Sequence, residues 1–232
     1  MLMYSLEELE NGKIFLIDKP LDWTSFDVVN KIKWNIRKHF KLKKFKVGHA
    51  GTLDPKATGL LIVCVGKATK QIQEIQDASK VYSGTIKLGV QTPSYDTETE
   101  EFNPKNISHL LKEDIHKATE FFIGEIWQKP PVFSAIKKDG KRLYEFARKG
   151  EEVEIKERAV SVYDFQITKI DLPFVEFLIH CSKGTYIRSL AHDFGNKLEV
   201  GGYLTQLCRE KIGNHEVKNA DNSIIENAKF FE

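Results

Sequence analysis

Residues 48–59, Gly-His-Ala-Gly-Thr-Leu-Asp-Pro-Lys-Ala-Thr-Gly, place one carboxylate, Asp54, in a glycine-punctuated loop that runs into the apolar stretch 60–65. Glycines at 48, 51 and 59 permit backbone angles closed to other residues, and Pro55 sets the exit direction from Asp54. Such a loop can hold an acid out into a cleft with a rigid strand behind it, which is how a carboxylate nucleophile is presented. Asp-Pro between glycines is also ordinary turn chemistry, and spacing alone favours a simple chain reversal.

Other catalytic patterns are weaker. His180 and Cys181 are adjacent on an apolar, strand-like segment, where neighbours point to opposite faces and form no dyad. Gly-Lys-Ala-Thr at 66–69 lacks the upstream glycine of a phosphate loop, and no Gly-x-Ser-x-Gly elbow is present. Cys64, Cys181 and Cys208 are far apart with no Cys-x-x-Cys pair, which argues against zinc or a disulfide framework and fits a reducing cytosol.

Net charge is only +2, yet its distribution is uneven. Between Asp27 and Asp54 there is no acid, while Lys31, Lys33, Arg37, Lys38, Lys41, Lys43, Lys44 and Lys46 all fall there. Acids gather elsewhere, at Asp96, Glu98, Glu100 and Glu101. A cationic sector leading into the Asp54 loop suits phosphate binding, and a solvated lysine-rich helix end explains it equally well.

The elements that must position these groups read as one continuous α+β domain around a mixed sheet. Residues 14–17 form a short strand, and Thr24 or Ser25 caps a helix whose first turn carries Asp27. Val29, Ile32, Ile36 and Phe40 follow at helical spacing. Residues 60–65 read as a strand buried on both faces, followed by a helix over about 69–76. The alternation at 81–90 puts Tyr82, Gly84, Ile86, Leu88 and Val90 on one face, with Gly84 leaving room beside Tyr82 for a planar ligand. Residues 108–123 read as a helix, 143–148 as another, and 160–170 with 174–181 as two joined strands. Ile187, Leu190, Ala191 and Phe194 make a helix stripe expected to stop at Gly195.

The string at 48–59 closely resembles the catalytic motif of the TruB family of tRNA pseudouridine synthases. Four further segments resemble the same family, so the likeness spans about residues 13–213. Residues 13–25 carry Lys19, Pro20, Thr24 and Ser25 of an N-terminal motif, and Lys80-Val81-Tyr82 precedes Leu88, Gly89 and Thr92 in family order. Residues 131–144, with Pro131, Phe133, Ser134, Lys137 and Tyr144, resemble an RNA-clasping insertion over about 128–150. Residues 181–190 resemble the strand-to-helix motif that carries Lys183, Tyr186 and Arg188.

The resemblance implies a pseudouridine synthase fold, with a largely antiparallel central sheet flanked by helices and loops. It implies conversion of a tRNA uridine to pseudouridine, with no metal and no cofactor. Asp54 is then the essential aspartate, Arg188 its ion-pair partner, Tyr82 the ring beside the target base, and Tyr186 a packing and hydrogen-bonding partner. His49 is expected to fill the space left by an extruded base, and Lys19, Lys137, Phe133, Lys183 and Leu207 to touch RNA.

Three departures stand out. Asp22 replaces a usual glycine, residues 97–100 lack a glycine commonly found after the aspartate, and the chain ends where many members begin a C-terminal RNA-binding domain of PUA type. The expected protein is a cytoplasmic monomer acting on the tRNA T-arm without an obligate protein partner or a membrane. The open alternatives are a synthase acting on another RNA and a non-catalytic RNA-folding factor.

Overall fold

The computed structural model describes residues 4–134, 137–138, 141–142 (backbone only at 137–138 and 141–142) and 153–226. The helix expected at 143–148 lies outside them, as does most of the clasping insertion. The chain forms two compact units, Met1–Tyr82 with Leu207–Glu232, and Ser83–Gln206. One continuous domain is what the sequence suggests, because both crossings fall inside strands, where no linker composition marks them.

Unit 1 is built on α1 (Leu6–Asn11), β1 (Lys13–Lys19), α2 (Ser25–His39), β2 (Val47–His49), β3 (Thr58–Val65) and α3 (Ile72–Asp77). The helix expected at 69–76 is a 3₁₀ turn, Gly66–Gln71, that passes into α3. Strand β3 pairs antiparallel with β1 and with β2. Every residue from Leu60 to Val65 is fully buried because β3 has a core on each face. Leu61, Val63 and Val65 pack with Phe15, Ile17, Val28, Ile32 and Ile36, whereas Leu60, Ile62 and Cys64 pack with Ala50, Ala68 and Ile212. Helix α2 starts at a capping box: Thr24 Oγ1 accepts from the Asp27 amide and Asp27 accepts from the Thr24 amide.

Strand β4 (Lys80–Leu88) carries the chain into unit 2, which adds α4 (Lys112–Thr119), β5 (Gly124–Gln128), β6 (Lys137–Lys138) and β7 (Lys141–Arg142). Then come β8 (Arg158–Asp171), β9 (Phe174–Cys181), α5 (Ile187–Lys197) and β10 (Gly202–Ile212), which returns the chain to unit 1. Short β11 (His215–Glu216) and α6 (Ser223–Glu226) finish the described part. In unit 2 the strand order is β10, β4, β9, β8, β5, with antiparallel β9–β8 and β8–β5 pairs. In unit 1 the end of β10 pairs parallel to β3 at Thr58 and Gly59. Mixed pairing that is mostly antiparallel, with helices packed against it, is the expected α+β class.

Two glycine readings change. Helix α5 runs through Gly195 to Lys197, and a Cβ at Gly195 would lie 2.2 Å from the Gly202 amide nitrogen, so close backbone approach explains this glycine. At Gly84 a Cβ would lie 2.4 Å from the Gln206 carbonyl and 2.7 Å from the Phe177 ring. The space beside it is already filled by protein, and no ligand room is left there.

Candidate active site

Unit 1 presents Asp54, half-buried, on the loop between β2 and β3. The loop is tied at several points. Leu53 donates its amide to Ser25 Oγ at 2.8 Å and accepts from the same hydroxyl at 3.1 Å, which fixes the residue before Asp54 to the first turn of α2. The Ala57 amide closes a turn onto the Asp54 carbonyl at 3.1 Å. Gly51 and Gly59 have φ of 106° and 96°, angles that exclude most side chains.

Below the loop lies Arg209, only 1% exposed. Its guanidinium donates to the carbonyls of Gly51 at 3.0 Å, Thr52 at 3.3 Å and Leu60 at 2.8 Å, and so joins both ends of the loop. A planar fork with five N–H donors suits three fixed acceptors. Nothing in the sequence singles out Arg209, because it stands in a charged run, Arg209-Glu210-Lys211, of the kind that is usually solvated.

Lys19 occupies a different place from the one expected. It is fully buried, and its ammonium donates to the carbonyls of Pro20 at 2.9 Å, Trp23 at 2.5 Å and Pro55 at 3.4 Å. A side chain without solvent exposure does not meet phosphate from solution; here it staples the turn after β1 to the Asp54 loop. Burial pulls its pKa down to about 8 from an ordinary 10.5, against the opposing pull of Asp54, Asp22 and Asp18. Asp22, the residue in place of glycine, has a φ of 65°, a left-handed angle that aspartate tolerates. Its amide donates to the Pro55 carbonyl at 2.9 Å and its carboxylate pairs with Lys56 at 2.7 Å, so the substitution adds another tie to the loop.

His49 is half-buried on β2, and burial lowers its pKa, with a Gly51 hydrogen bond opposing and the Arg209 charge adding to the shift. A neutral imidazole is the result at physiological pH. Tyr82, at the end of unit 1, is 8% exposed, with Lys80 on the same strand buried and donating to the Gln76 and Ala78 carbonyls. Leu207 is half-buried, and its carbonyl accepts from Thr58 Oγ1 at 3.4 Å.

Unit 2 holds Arg188 and Tyr186. Arg188 is 4% exposed and donates to the Ser94 carbonyl at 3.1 Å and the Phe133 carbonyl at 2.8 Å. Its Nη1 lies 3.4 Å from the carboxylate of Asp96, which also accepts from Ser94 Oγ at 2.6 Å and the Glu98 amide at 2.9 Å. Asp96 is thus an ion-pair partner of Arg188, where the sequence shows it only as one of four acids between 96 and 101. Tyr95, between Ser94 and Asp96, has a φ of 64° and stacks on His192 with ring centroids 3.8 Å apart.

Tyr186 is clamped through its backbone: Gln128 accepts from its amide at 2.7 Å and donates to its carbonyl at 3.0 Å. Arg158 lies 4.6 Å from the Tyr186 ring centroid and also donates to the Gly184 carbonyl. Lys183 is exposed, and Phe133 is half-buried. Lys137 lies on β6, paired with Arg142 of β7, and its side chain is outside the described residues. Among the described residues no cluster of three or more His, Cys, Asp or Glu side chains is placed to hold a metal. Among them too, no helix is long and apolar enough to cross a membrane.

Comparison with known proteins settles the family. The family described as TruB family pseudouridylate synthase (N terminal domain) matches residues 37–187. The chain belongs to the TruB family. Proteins named tRNA pseudouridine synthase B are similar over nearly the whole chain. That of Flavobacterium johnsoniae is 55% identical over 92% of this chain and 94% of its own length. That of Bacteroides fragilis is 45% identical over 96% and 94%. Among solved structures, a Cbf5-Nop10-Gar1 complex superposes with a TM-score of 0.65 at 30% identity, covering 89% of this chain. An archaeal box H/ACA sRNP Nop10-Cbf5 complex gives 0.67 at 26% identity over 96%. This chain spans about half the length of those two matched chains, 51% and 55%. TruB membership makes the protein a pseudouridine synthase, an isomerase, and the α+β architecture is that of the pseudouridine synthase fold.

Proposed function

We propose that the protein converts uridine-55 in the T-loop of tRNA to pseudouridine, with Asp54 as the nucleophile. The observation that carries this reading is the half-buried Asp54 carboxylate on a loop held by Arg209, Lys19 and Ser25. A carboxylate fixed this way loses little freedom when it meets a substrate atom.

The rearrangement breaks the N1–C1′ bond, turns the base, forms a C5–C1′ bond, and moves the C5 hydrogen off as a proton while N1 gains one. It is redox-neutral and takes no group from outside. A base inside a folded T-arm must leave its stack, at about a few kcal/mol. The neutral His49 is assigned the vacated space and the buried ring of Tyr82 one face of the base. A phenol is a weak base at neutral pH, so a relayed proton serves the C5 step. Arg188 is assigned the role of keeping the carboxylate charged during the reaction, and Tyr186 that of packing in the pocket. Phe133, Lys137, Lys183 and Leu207 are assigned to RNA contact. The protein is read as a cytoplasmic monomer that needs no protein partner.

Tritium release from unmodified tRNA carrying 5-tritiated uridine is the test. Wild type is expected to release tritium from position 55, and Asp54→Asn to bind the RNA without release. Release that persists in Asp54→Asn, or product at another uridine, overturns the proposal.

A further inference from the structure

Helix α2 carries, on its solvent face, groups that no step above uses. Phe26 and Trp34 are 64% and 51% exposed, and Asn30 and Lys38 share their face at a spacing of four. The Lys38 ammonium lies 4.5 Å, and that of Lys31 5.4 Å, from the centroid of the Trp34 ring. The indole therefore holds two ammonium groups by cation–π attraction, and their stems lose freedom before any ligand arrives. The two lysines are seven positions apart, about 10 Å along the axis.

Past its first turn, where Asp27 is the one acid of α2, the chain carries one sign of charge as far as the Asp54 loop. Arg37, Lys41, Lys43, Lys44 and Lys46 are exposed nearby in the chain, and residues 28–53 contain no carboxylate. The opposite side of α2 is occupied: Val28, Ile32 and Ile36 are in the core, and Asn35 donates to the Ile224 carbonyl at 2.6 Å. The N-terminal end is fixed to the Asp54 loop through Ser25 and Leu53. The exposed face therefore begins at that loop and leads away from it for about 20 Å. Two aromatics separated by asparagine, the second of them holding two cations and followed by five more, make a poor apolar dock and a good polyanion track.

We propose that this face of α2 is a second RNA-docking surface, which takes the phosphate backbone of the stem adjoining the target loop. The pinned ammonium groups of Lys31 and Lys38 contact phosphates, and Trp34 sets their spacing. The proposal rests on the tRNA-modifying reading given above.

The test compares full-length unmodified tRNA with a hairpin carrying the same loop on a minimal stem, at several salt concentrations. For Lys31→Gln/Lys38→Gln, KM for full-length tRNA is expected to rise about tenfold with kcat within about twofold, while the hairpin is unaffected. The slope of log affinity against log salt is expected to shrink by about 1.8, at ~0.9 per lost phosphate contact. Trp34→Ala, which keeps both charges, is expected to raise KM less. Salt slopes and KM equal to wild type in the double variant overturn the proposal and leave a solvated face, or one for an acidic protein. Those results with tritium release intact refute the docking surface alone. No release from wild type, with an α2-dependent salt slope retained, refutes the enzymatic reading alone.

Discussion

Two buried arginines hold two loops, and they do it differently. Arg209 meets only backbone carbonyls, at Gly51, Thr52 and Leu60, and Lys19 on the same loop does likewise. Arg188 meets two carbonyls and, in addition, the buried carboxylate of Asp96. Carbonyl dipoles stabilise a cation without cancelling its charge, so the Asp54 loop keeps a positive interior beneath an acid. The Arg188 clamp instead includes a carboxylate. The first arrangement favours negative charge above it; the second binds a cation to a buried acid of its own unit.

The largest expected effect tests the acid itself. Asp54→Asn is expected to cut pseudouridine formation at least ~10⁴-fold while leaving the thermal midpoint almost unchanged, since the amide removes charge and keeps shape. A modest rate loss would mean that the carboxylate is not the reacting group.

Next comes the Arg188 clamp. Arg188→Met and Asp96→Asn are each expected to cost about 3–5 kcal/mol in urea unfolding, because each strands a buried partner. The double variant should lose clearly less than their sum. Additive losses would show that the two groups are energetically independent, and the contrast with Arg209 would vanish.

Arg209→Met leaves three carbonyls without their donor and no orphaned charge. About 2–3 kcal/mol of stability should go, with a lower kcat at little-changed KM, and Arg209→Lys should recover part of both. Equal losses for Arg209→Met and Arg188→Met would erase the distinction between the two arginines.

The smallest effect is a pH dependence. Lys19 has its folded pKa lowered to about 8, below the ordinary 10.5, so between these values the unfolded chain binds more protons and stability from this group rises with pH. Wild type should therefore gain about 1–3 kcal/mol on Lys19→Met between pH 8 and 10 in parallel denaturant titrations. A flat difference would place the ammonium in contact with water.

Much of this molecule was legible in its residues. Alternation and runs located β1, β3, β4, β8 and β9, since periodicity reports which faces are buried. The Thr24–Asp27 cap was readable because it is local. Helix α4 proved shorter than its apolar pattern, residues 112–119 instead of 108–123, because a 3₁₀ turn takes over at Glu120. Gly195 and Gly84 were misread because close backbone approach has no local signature.

The sequence by itself determined the chemistry on offer: a lone aspartate in a glycine-framed loop, and ordered motifs that resemble a single family. Only the tertiary structure decided where the cations go. Lys19 and Arg209 became buried staples and Asp96 the partner of Arg188, while Lys31 and Lys38 stayed outside on Trp34. Charge type is written in a side chain; desolvation, which decides whether that charge binds a ligand or a loop, depends on what else packs around it.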